Sequence, residues 1–421
     1  MKIGVILAGG KSSRFKSILP KGLHKIDGVT IVDRVIECLK IADINKIYIV
    51  VNNDNYEYYK QVKSVNFLFQ SDLSGSGGAF YSFNGLFNEE DDIIVVNSDC
   101  FLFNKKTIRE FYEEFTKHEL DAGLVSVLTD NPYGLGRIYD YDGNFEIVEE
   151  NDCNEELLKI KEINTGIYAF KGSFLESKMK YLNIKNKESK ITILFRNIKS
   201  YKYLCKDLIM SINNKEEFYE VNKQFYLYNC HKHLDNGVKI YDVNNTYIGE
   251  NVVIGKDVEI YPNNHLLGNT VLEDNCVVYP NCFINNSKIN KNCEIGPFAN
   301  LKDNCDIGCD CVIGAYVEIK NGYLKSKVKA KHHAYLGDCF IGENSNIGCG
   351  TIIANYNNHK QKNKTIIGKN SFIGSNVTLI APVSIGNNVV VAAGSTITKD
   401  IEDYSLVIVR AKEINKKEYY R

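Results

Sequence analysis

Aliphatic side chains recur every six residues through the second half of the chain, from Tyr247 to about Asp403. A step of six matches neither the 3.6-residue period of an α-helix nor the two-residue alternation of a half-buried strand. It predicts short strands that each point one aliphatic side chain inward, and three such strands would close a triangular coil of roughly 18 residues, giving about eight stacked coils. The strictly spaced positions are Ile295, Leu301, Ile307, Ile313 and Ile319, then Ile341, Ile347 and Ile353, then Ile367, Ile373, Leu379, Ile385, Val391 and Ile397.

This repeat resembles the hexapeptide-repeat family, whose members form left-handed parallel β-helices. The handedness is implied by the resemblance alone, because the general rule for strand crossovers favours a right-handed turn. Acyltransferases of this family are usually trimers, so the resemblance also implies a homotrimer.

The first half of the chain alternates strand and helix patterns. Residues 2–7 form a continuous apolar run, as expected of a strand buried on both faces of a parallel sheet. A helical spacing at Ile31, Val35, Ile36 and Leu39 comes next, and the later strand candidates are Lys46–Val51, Phe67–Gln70, Asp92–Asn97 and Ala122–Leu128. This alternation predicts an α/β domain with a Rossmann-like sheet.

A second helical pattern lies between the two halves, around Lys215–Leu234. It places Phe218, Val221, Phe225 and Tyr228 on one face, and we interpret these residues as packing rather than as a ligand site. The expected organisation is an α/β domain over residues 1–214, a helical linker over 215–236 and a β-helix domain over 237–421.

Composition narrows the class of protein. The chain has 421 residues and a formal net charge of −1, so no basic excess points to nucleic acid as a partner. No apolar run resembles a signal peptide or a membrane span, and we expect a cytoplasmic protein that acts on small molecules. Cys305, Cys309 and Cys311 are close in sequence, but they lie within the repeat and lack paired metal-ligand spacing, so packing is favoured over metal binding.

A glycine-rich, positively charged turn follows the first strand. It reads Leu7-Ala8-Gly9-Gly10, with Arg14 and Lys21 shortly after. Small residues let the backbone approach phosphate groups, and the two cations supply the charge that a triphosphate requires. The turn has neither the dinucleotide-binding nor the Walker glycine spacing, and by itself it would also fit a tight turn with solvated cations.

Polar residues recur near the ends of later strands. Gln70 ends a strand shortly before Gly75 and Ser76, and a side-chain amide beside an open backbone suits recognition of a pyrimidine edge. Asp99 follows a strand at the end where open α/β sheets bind ligands. Three further fragments, each of which alone is more often structural, contain Gly136, Glu149 and Asn164.

Together these motifs resemble the bacterial family of bifunctional N-acetylglucosamine-1-phosphate uridylyltransferases / glucosamine-1-phosphate N-acetyltransferases, over nearly the whole chain. The resemblance implies UTP and acetyl-CoA as co-substrates and Mg²⁺ as a cofactor. Its implied nucleotide-binding residues are Leu7, Ala8, Gly9, Gly10, Arg14, Lys21, Gln70, Gly75 and Ser76. Its implied sugar-binding residues in the first domain are Gly136, Glu149, Asn164 and Asn213, and its implied metal ligands are Asp99 and Asn213.

The six-residue step breaks around Lys325–Tyr335 and Asn355–Lys364, and a loop that leaves a regular solenoid is a functional candidate. By position, the resemblance implies that His332 is the base of the acetyl transfer. Its implied sugar-phosphate contacts are Lys302, Lys320, Tyr335, Asn346 and Lys362, and its implied acetyl-CoA contacts are Asn355, Tyr356, Ser375, Ala393 and Arg410.

Several positions depart from the family pattern. Lys302 stands where the family usually has Arg, which keeps the charge but loses bidentate phosphate binding. His333 replaces an apolar neighbour of the implied base, which leaves either histidine as the candidate. Ser12-Ser13 replaces Gly-Thr in the phosphate loop, and Phe101 replaces Pro. These changes are compatible with an altered sugar specificity.

Three functions therefore compete. The first is the bifunctional enzyme of UDP-N-acetylglucosamine synthesis, with acetyl transfer on the solenoid and Mg²⁺-dependent uridylyl transfer in the first domain. The second is a nucleotidyltransferase for another sugar 1-phosphate, with a solenoid that acetylates a different amine or only forms the trimer. The third is a regulatory nucleotide-binding protein without catalysis, against which the presence of Arg14, Lys21, Asp99 and His332 argues.

Overall fold

A computed structural model describes residues 1–70, 75–182, 189–417 and 419, and the chain divides into two compact units, Met1–Lys223 and Gln224–Arg421. The domain limits expected from the sequence stay predictions. No helix in the described ranges is long and apolar enough to cross a membrane.

The first unit is an α/β domain. Its strands are β1 (Lys2–Leu7), β2 (Lys25–Ile26), β3 (Val29–Thr30), β4 (Lys46–Val51), β5 (Asn66–Phe69), β6 (Asp92–Asn97), β7 (Cys100–Leu102), β8 (Ala122–Leu128), β9 (Arg137–Tyr141), β10 (Asn144–Val148), β11 (Glu162–Lys171), β12 (Tyr201–Leu204) and β13 (Ile209–Ser211). Its helices are α1 (Ile31–Ile41), α2 (Tyr56–Tyr59), α3 (Gly75–Tyr81), α4 (Thr107–Thr116) and α5 (Gly172–Lys178), and α6 (Lys215–Asp235) crosses the boundary between the units.

The apolar run at the start of the chain is the central strand β1. It pairs in parallel with β4 and β6, and the sheet has the order β10-β9-β11-β6-β1-β4-β5, with β8 on β11 and β12 on β8. Ile3, Val5 and Ile6 are fully buried, because helices or loops cover both faces. The carboxyl ends of β1, β4, β5 and β6 lie at one edge, where the glycine-rich turn and Asp99 follow.

Helix α6 changes its buried face along its length. Val221 and Phe225 are buried as expected from the sequence, but Tyr228 is exposed. Asn229 and Cys230 are buried instead, because the second half of the helix packs on the first coil of the solenoid, where the Asn229 amide donates to the Ile248 carbonyl at 2.9 Å. The prediction that Tyr228 packs on the same buried face as Val221 and Phe225 is therefore wrong.

The second unit is a parallel β-solenoid of short strands. They are β14 (Lys239–Ile240), β15 (Tyr247–Ile248), β16 (Val253–Ile254), β17 (Glu259–Ile260), β18 (His265–Leu267), β19 (Val271–Leu272), β20 (Val277–Val278), β21 (Phe283–Asn285), β22 (Lys288–Ile289), β23 (Glu294–Ile295), β24 (Asn300–Lys302), β25 (Asp306–Ile307), β26 (Val312–Leu324), β27 (Lys329–Ile341), β28 (Asn346–Ile347), β29 (Ile352–Ala354), β30 (Thr365–Ile367), β31 (Phe372–Ile373), β32 (Thr378–Ile380), β33 (Val383–Ile385), β34 (Val390–Val391), β35 (Thr396–Ile397) and β36 (Leu406–Val407).

Most of the short strands pair with the strand three positions later, which is the signature of a three-sided coil, and the long strands β26 and β27 each span more than one side. Tyr247 pairs with His265, 18 residues later, so the coil has the length predicted from the sequence. Every aliphatic residue of the strict six-residue runs is buried, from Ile295 to Ile397. The fold class expected for this half is confirmed.

Corner residues hold neighbouring coils together. Asn344, Asn370 and Asn388 all have positive φ, a conformation that Asn tolerates better than most residues. Their side-chain amides form a ladder, with Asn344 donating to Asn370 at 3.1 Å and Asn370 donating to Asn388 at 3.2 Å. The ladder satisfies polar groups at the corner while the aliphatic residues fill the core.

Cysteines fill small spaces in the same core. Cys305 and Cys311 are buried, and the Cys311 thiol donates to the Lys325 carbonyl of the next coil at 3.2 Å. Cys276 and Cys293 make equivalent contacts at 3.1 and 3.0 Å. These thiols behave as small apolar residues with a weak donor.

Candidate functional site

One cleft of about 560 Å³ lies at the carboxyl edge of the first-domain sheet. It gathers every first-domain residue for which the resemblance implies nucleotide, sugar or metal binding: Leu7, Ala8, Gly9, Gly10, Arg14, Lys21, Gln70, Gly75, Ser76, Asp99, Gly136, Glu149, Asn164 and Asn213. It also contains residues that the sequence analysis did not single out, among them Tyr59, Tyr168, Lys190 and Thr192.

Two buried asparagines hold the backbone of the glycine-rich turn. Asn52 donates to the Gly9 carbonyl and Asn55 donates to the Ala8 carbonyl, both at 2.8 Å. The two side chains also accept each other's backbone N–H groups at 3.0 and 2.8 Å, so the pair forms a rigid brace. With both carbonyls engaged, the turn keeps a fixed shape. Sequence reasoning missed this brace, although the Asn-rich segment after β4 was a signal for it.

Gln70 forms one wall of the cleft. It is 6 % exposed, its backbone N–H donates to the Val51 carbonyl at 2.8 Å, and its side-chain nitrogen donates to the Gly75 carbonyl at 3.4 Å. A Cβ atom on Gly9 would collide with the Gln70 side-chain oxygen, so position 9 must be glycine for Gln70 to lie here. The arrangement presents a fixed carboxamide beside the glycine-rich turn.

We expect Gln70→Ala to raise the KM for UTP roughly tenfold and to change the KM for the sugar phosphate far less. The reason is that a site built to hydrogen-bond a base leaves polar groups unpaired when one partner is removed. Steady-state kinetics with UTP and CTP would measure the effect. Equal use of the two nucleotides both before and after the substitution would show that Gln70 does not read the base.

A cluster of charged and polar groups lies beside the glycine-rich turn. The Lys21 ammonium contacts the Asp99 carboxylate and donates to the Asn213 side-chain oxygen at 3.2 Å, and Arg14 donates to the same oxygen at 3.4 Å. Glu217 fixes Asn213 by accepting its backbone N–H at 2.7 Å and its side-chain nitrogen at 3.1 Å. The Asn213 oxygen is therefore turned towards the cations.

This donor set fits a divalent cation. The oxygens of Asp99 and Asn213 converge on a single positive group, the Lys21 ammonium, and hard oxygen donors of this kind suit Mg²⁺. Across the described ranges, no group of three or more His, Cys, Asp or Glu side chains could hold a metal without help. The other ligands of such a cation would have to be water or phosphate oxygens.

Glu149 lines the same cleft. Its carboxylate pairs with Lys190 at 3.3 Å and accepts from the Thr192 hydroxyl at 3.4 Å. The same segment also contacts Ser76, because the Ile191 N–H donates to the Ser76 hydroxyl at 3.1 Å. Residues 190–192 therefore link Ser76 to Glu149, a link that no sequence motif indicated.

Asn164 also lines the cleft and is held on two sides. Its backbone N–H donates to the Gly136 carbonyl at 2.9 Å, and its side-chain nitrogen donates to the Tyr168 hydroxyl at 2.8 Å. Burial raises the pKa of Tyr168, which keeps this hydroxyl protonated at neutral pH. A neutral, fixed amide and hydroxyl suit the hydroxyl groups of a sugar.

A buried ion pair shapes the glycine-rich bend next to Gly136. The Arg137 guanidinium contacts Glu150 at 3.3 and 3.4 Å and also donates to the Leu135 carbonyl. The Glu150 carboxylate in turn accepts the Gly134 N–H. Arg137 thereby holds both the bend and the segment that carries Glu149.

On the solenoid, three of the five implied sugar-phosphate contacts, Lys302, Lys320 and Tyr335, lie on one face. We call it the Tyr335 face, and it consists of Asn300–Lys302, Glu318–Lys320, Tyr335–Gly337 and Ile352–Ala354 in register. Lys302 pairs with Glu318 at 2.9 Å, and Lys320 pairs with Asp303 at 3.1 Å. The hydrogen bond that the Lys320 ammonium donates to the Asp303 carboxylate is the main cause of the raised pKa of Lys320, so its ammonium stays charged.

His332 and two implied acetyl-CoA contacts occupy the corner that leads into this face. Register places His332 opposite Ala315 and aligns it, coil by coil, with Cys349, Ser375 and Ala393.

Both His332 and His333 are exposed, and His333 has a φ of 29°. Arg410 lies beside Gly394, one residue beyond Ala393. The base candidate and the C-terminal contacts therefore share one edge of the solenoid.

The remaining implied contacts are more dispersed. Asn355 follows the Tyr335 face, and Tyr356 and Lys362 form a bridge within the loop that begins there. Asn346 is on a different face, where it pairs with Lys329. Within one chain the structure does not bring Asn346 to the Tyr335 face.

Fold and cleft define a two-part transferase: a nucleotidyltransferase domain followed by a hexapeptide-repeat transferase domain. Residues 4–137 match the family described as the MobA-like NTP transferase domain. Residues 245–286 match the bacterial transferase hexapeptide repeat, and residues 364–399 match the hexapeptide repeat of succinyl-transferase.

Curated proteins resemble the chain over nearly its whole length. Bifunctional protein GlmU of Clostridium novyi (strain NT) is 37% identical, with 98% of this chain and 97% of that protein covered. The GlmU proteins of Caldicellulosiruptor saccharolyticus and Staphylococcus epidermidis are 36% and 35% identical, covering 98% and 99% of this chain and 96% and 99% of their own lengths. The chain belongs to the family of bifunctional GlmU proteins.

Proposed function

We propose that this protein acetylates glucosamine 1-phosphate with acetyl-CoA on the solenoid and then transfers a uridylyl group from UTP to N-acetylglucosamine 1-phosphate in the first domain. The observation that carries the second activity is the cleft itself, which brings together Gln70, the cluster of Lys21, Asp99 and Asn213, and Glu149. A base, a polyphosphate and a sugar would each find one of these three groups.

Uridylyl transfer depends on positioning and on charge. The phosphate oxygen of the sugar attacks the α-phosphorus of UTP, the bond to the β-phosphate breaks, and pyrophosphate leaves. Arg14 and Lys21 neutralise the triphosphate, and Asp99 with Asn213 would hold Mg²⁺, which supplies further charge neutralisation when bound. The Glu149 carboxylate and the Asn164 amide are placed to orient the sugar hydroxyls.

Acetyl transfer needs a base for the amine of the substrate and a cationic site for its phosphate. The 2-ammonium of glucosamine 1-phosphate must lose a proton before its nitrogen attacks the thioester, and an imidazole suits this task near neutral pH. His332 lies at one edge of the Tyr335 face, and Lys302 and Lys320 lie at the other. An amino sugar phosphate carries its amine and its phosphate on neighbouring carbons, and long lysine side chains can reach back along the face.

A homotrimer would complete this second site. Asn346 is on another face of its own chain, so it can contribute to a site on the Tyr335 face only from a second copy. Large apolar side chains, such as Phe372 and Val390, are exposed on the face that carries Asn346. Both features support a side-by-side assembly of solenoids.

Truncation after Asn236 should leave a folded first domain with some uridylyl transfer and no trimer. The reason is that the six-residue repeats lie beyond this point and stacked coils bury one another. Sedimentation of the truncated protein would measure its mass. A trimer of that fragment would place the oligomer contacts elsewhere.

The proposed pair of activities is tested by a substrate panel. Pyrophosphate release from UTP is measured with several sugar 1-phosphates, and thiol release from acetyl-CoA is measured with several amino sugar phosphates. Pyrophosphate release only with a different sugar 1-phosphate would favour a nucleotidyltransferase of other specificity. Substitutions of Lys190, which pairs with Glu149, and of Lys302, which stands in place of Arg, would then test which residues set that specificity. Release with none would favour a non-catalytic nucleotide-binding protein.

A further inference from the structure

A buried carboxylate, Asp338, lies at the corner where the Tyr335 face ends. It is 8 % exposed and has a φ of 48°. One of its oxygens accepts from the Asn321 side-chain amide at 2.6 Å, and the other accepts from the Asn355 side-chain amide at 2.6 Å. A carboxylate only accepts hydrogen bonds, so it fixes the direction of both amides.

Asn355 is the first residue of the excursion loop, which we define as residues 355–363. Its backbone carbonyl accepts the Asn363 N–H at 2.8 Å and so closes the neck of the loop. Beyond the neck, Tyr356 and Lys362 form an antiparallel bridge. Asn355 is buried, and the hydrogen bond that its side-chain amide donates to Asp338 attaches this neck to the preceding coil.

The same corner brings Tyr335 close to Asn355. A Cβ atom on Gly337 would come within 2.6 Å of the Asn355 amide nitrogen and within 2.7 Å of the Tyr335 hydroxyl. The absence of a side chain at position 337 therefore leaves the space in which these two groups meet. Asp338, the next residue, holds the amide there.

We propose that Asp338 is a positioning residue for acetyl transfer: it anchors the excursion loop and turns the Asn355 side-chain oxygen away from the core, towards bound substrate. This inference rests on the proposed acetyl transfer and assigns a role to a residue that would not itself touch the reacting atoms. With the Asn355 nitrogen held by Asp338, its oxygen is the group left to accept from a donor of acetyl-CoA or of the amino sugar.

Asp338→Asn is the decisive substitution. Its new amide can still accept from Asn321, but it presents a donor to the Asn355 amide, so Asn355 must turn over or release the loop. We expect kcat/KM for acetyl transfer to fall about tenfold or more, chiefly through the KM for acetyl-CoA, with uridylyl transfer unchanged. Trypsin should also cleave faster within the loop, at Lys360 or Lys362.

Two matched variants separate positioning from general stability. Asn321→Ala removes the other hydrogen bond of the same carboxylate, away from the loop, and should leave acetyl transfer within about threefold while lowering the melting temperature about as much as Asp338→Asn does. The reciprocal pair Asp338→Asn with Asn355→Asp restores one donor facing one acceptor. It should recover most of the acetyl transfer and the resistance of the loop to trypsin.

The outcomes are distinct. If wild-type protein shows no acetyl transfer, the proposed function fails and this inference fails with it. If wild type is active and Asp338→Asn matches it in both KM and trypsin cleavage, only the inference is overturned. It is also overturned if Asn321→Ala and Asp338→Asn lose activity equally, or if the reciprocal pair recovers neither readout.

Discussion

Replacing His332 with alanine should reduce acetyl transfer by at least about 100-fold, because a general base typically contributes 100- to 10,000-fold. The side chain is exposed at a corner of the solenoid and does not fill the core, so the fold should persist. Uridylyl transfer should be unchanged, since its residues line a cleft in the first domain. The measurement is thiol release from acetyl-CoA with glucosamine 1-phosphate, with the mass of the oligomer checked in parallel.

His333→Ala is the matched control, and it should cost much less activity. His333 is also exposed, but its positive φ of 29° turns the chain at this point. Alanine is not favoured in that conformation either, so His333→Gly is a useful second control that relieves the strain. If both His333 variants lose more acetyl transfer than His332→Ala does, His333 is the base and the assignment of His332 is wrong. Full activity in all three variants would make the solenoid a scaffold.

Replacing Asp99 with alanine should abolish measurable uridylyl transfer and spare acetyl transfer. Its carboxylate contacts Lys21 beside Asn213, in the part of the cleft that must hold the triphosphate. Losing a charged group at this point should cost at least about 100-fold, as for other preorganised electrostatic contacts. Pyrophosphate release from UTP measures the effect.

Asp99→Asn and Asp130→Ala are the controls for that experiment. Asn keeps the shape of the side chain but removes the charge, so it should be nearly as inactive as alanine. Asp130 is an exposed carboxylate paired with Lys161, and its loss should leave uridylyl transfer unchanged. Equal loss of both activities in folded Asp99→Ala protein would contradict the assignment.

The six-residue periodicity predicted the solenoid well because the periodicity arises from a local requirement of the fold. One aliphatic side chain per strand is required at each coil, so Ile295, Leu301 and their successors reveal the fold without any tertiary information. Part of the first-domain sheet was equally visible, and β4, β6 and β8 have the limits read from the apolar runs. The strand expected at Phe67–Gln70 is β5, Asn66–Phe69, so Gln70 follows the strand and does not end it. Tyr228 on α6 shows the limit of the method, because the helix packs with different faces along its length.

The candidate site residues also differ in whether the sequence could predict them. Motif positions such as Gly9, Gln70 and Asp99 could be predicted, and the structure brings them into one cleft. Asn52, Arg137 and Asp338 could not, because each acts by holding a backbone or side chain that is distant in sequence or lies in another coil. A hydrogen bond between neighbouring coils or strands has no periodic signature.

The excursion loop has a consequence for how such a protein acquires chemistry. Cys339 pairs with Thr365, 26 residues later, whereas most coils close in 17 or 18, yet the strands on both sides keep their register. Extra residues at a corner therefore leave the aliphatic stack untouched. A loop at such a corner can therefore change in length or sequence during evolution while the solenoid core stays the same. Surface chemistry and core packing can evolve independently in this fold.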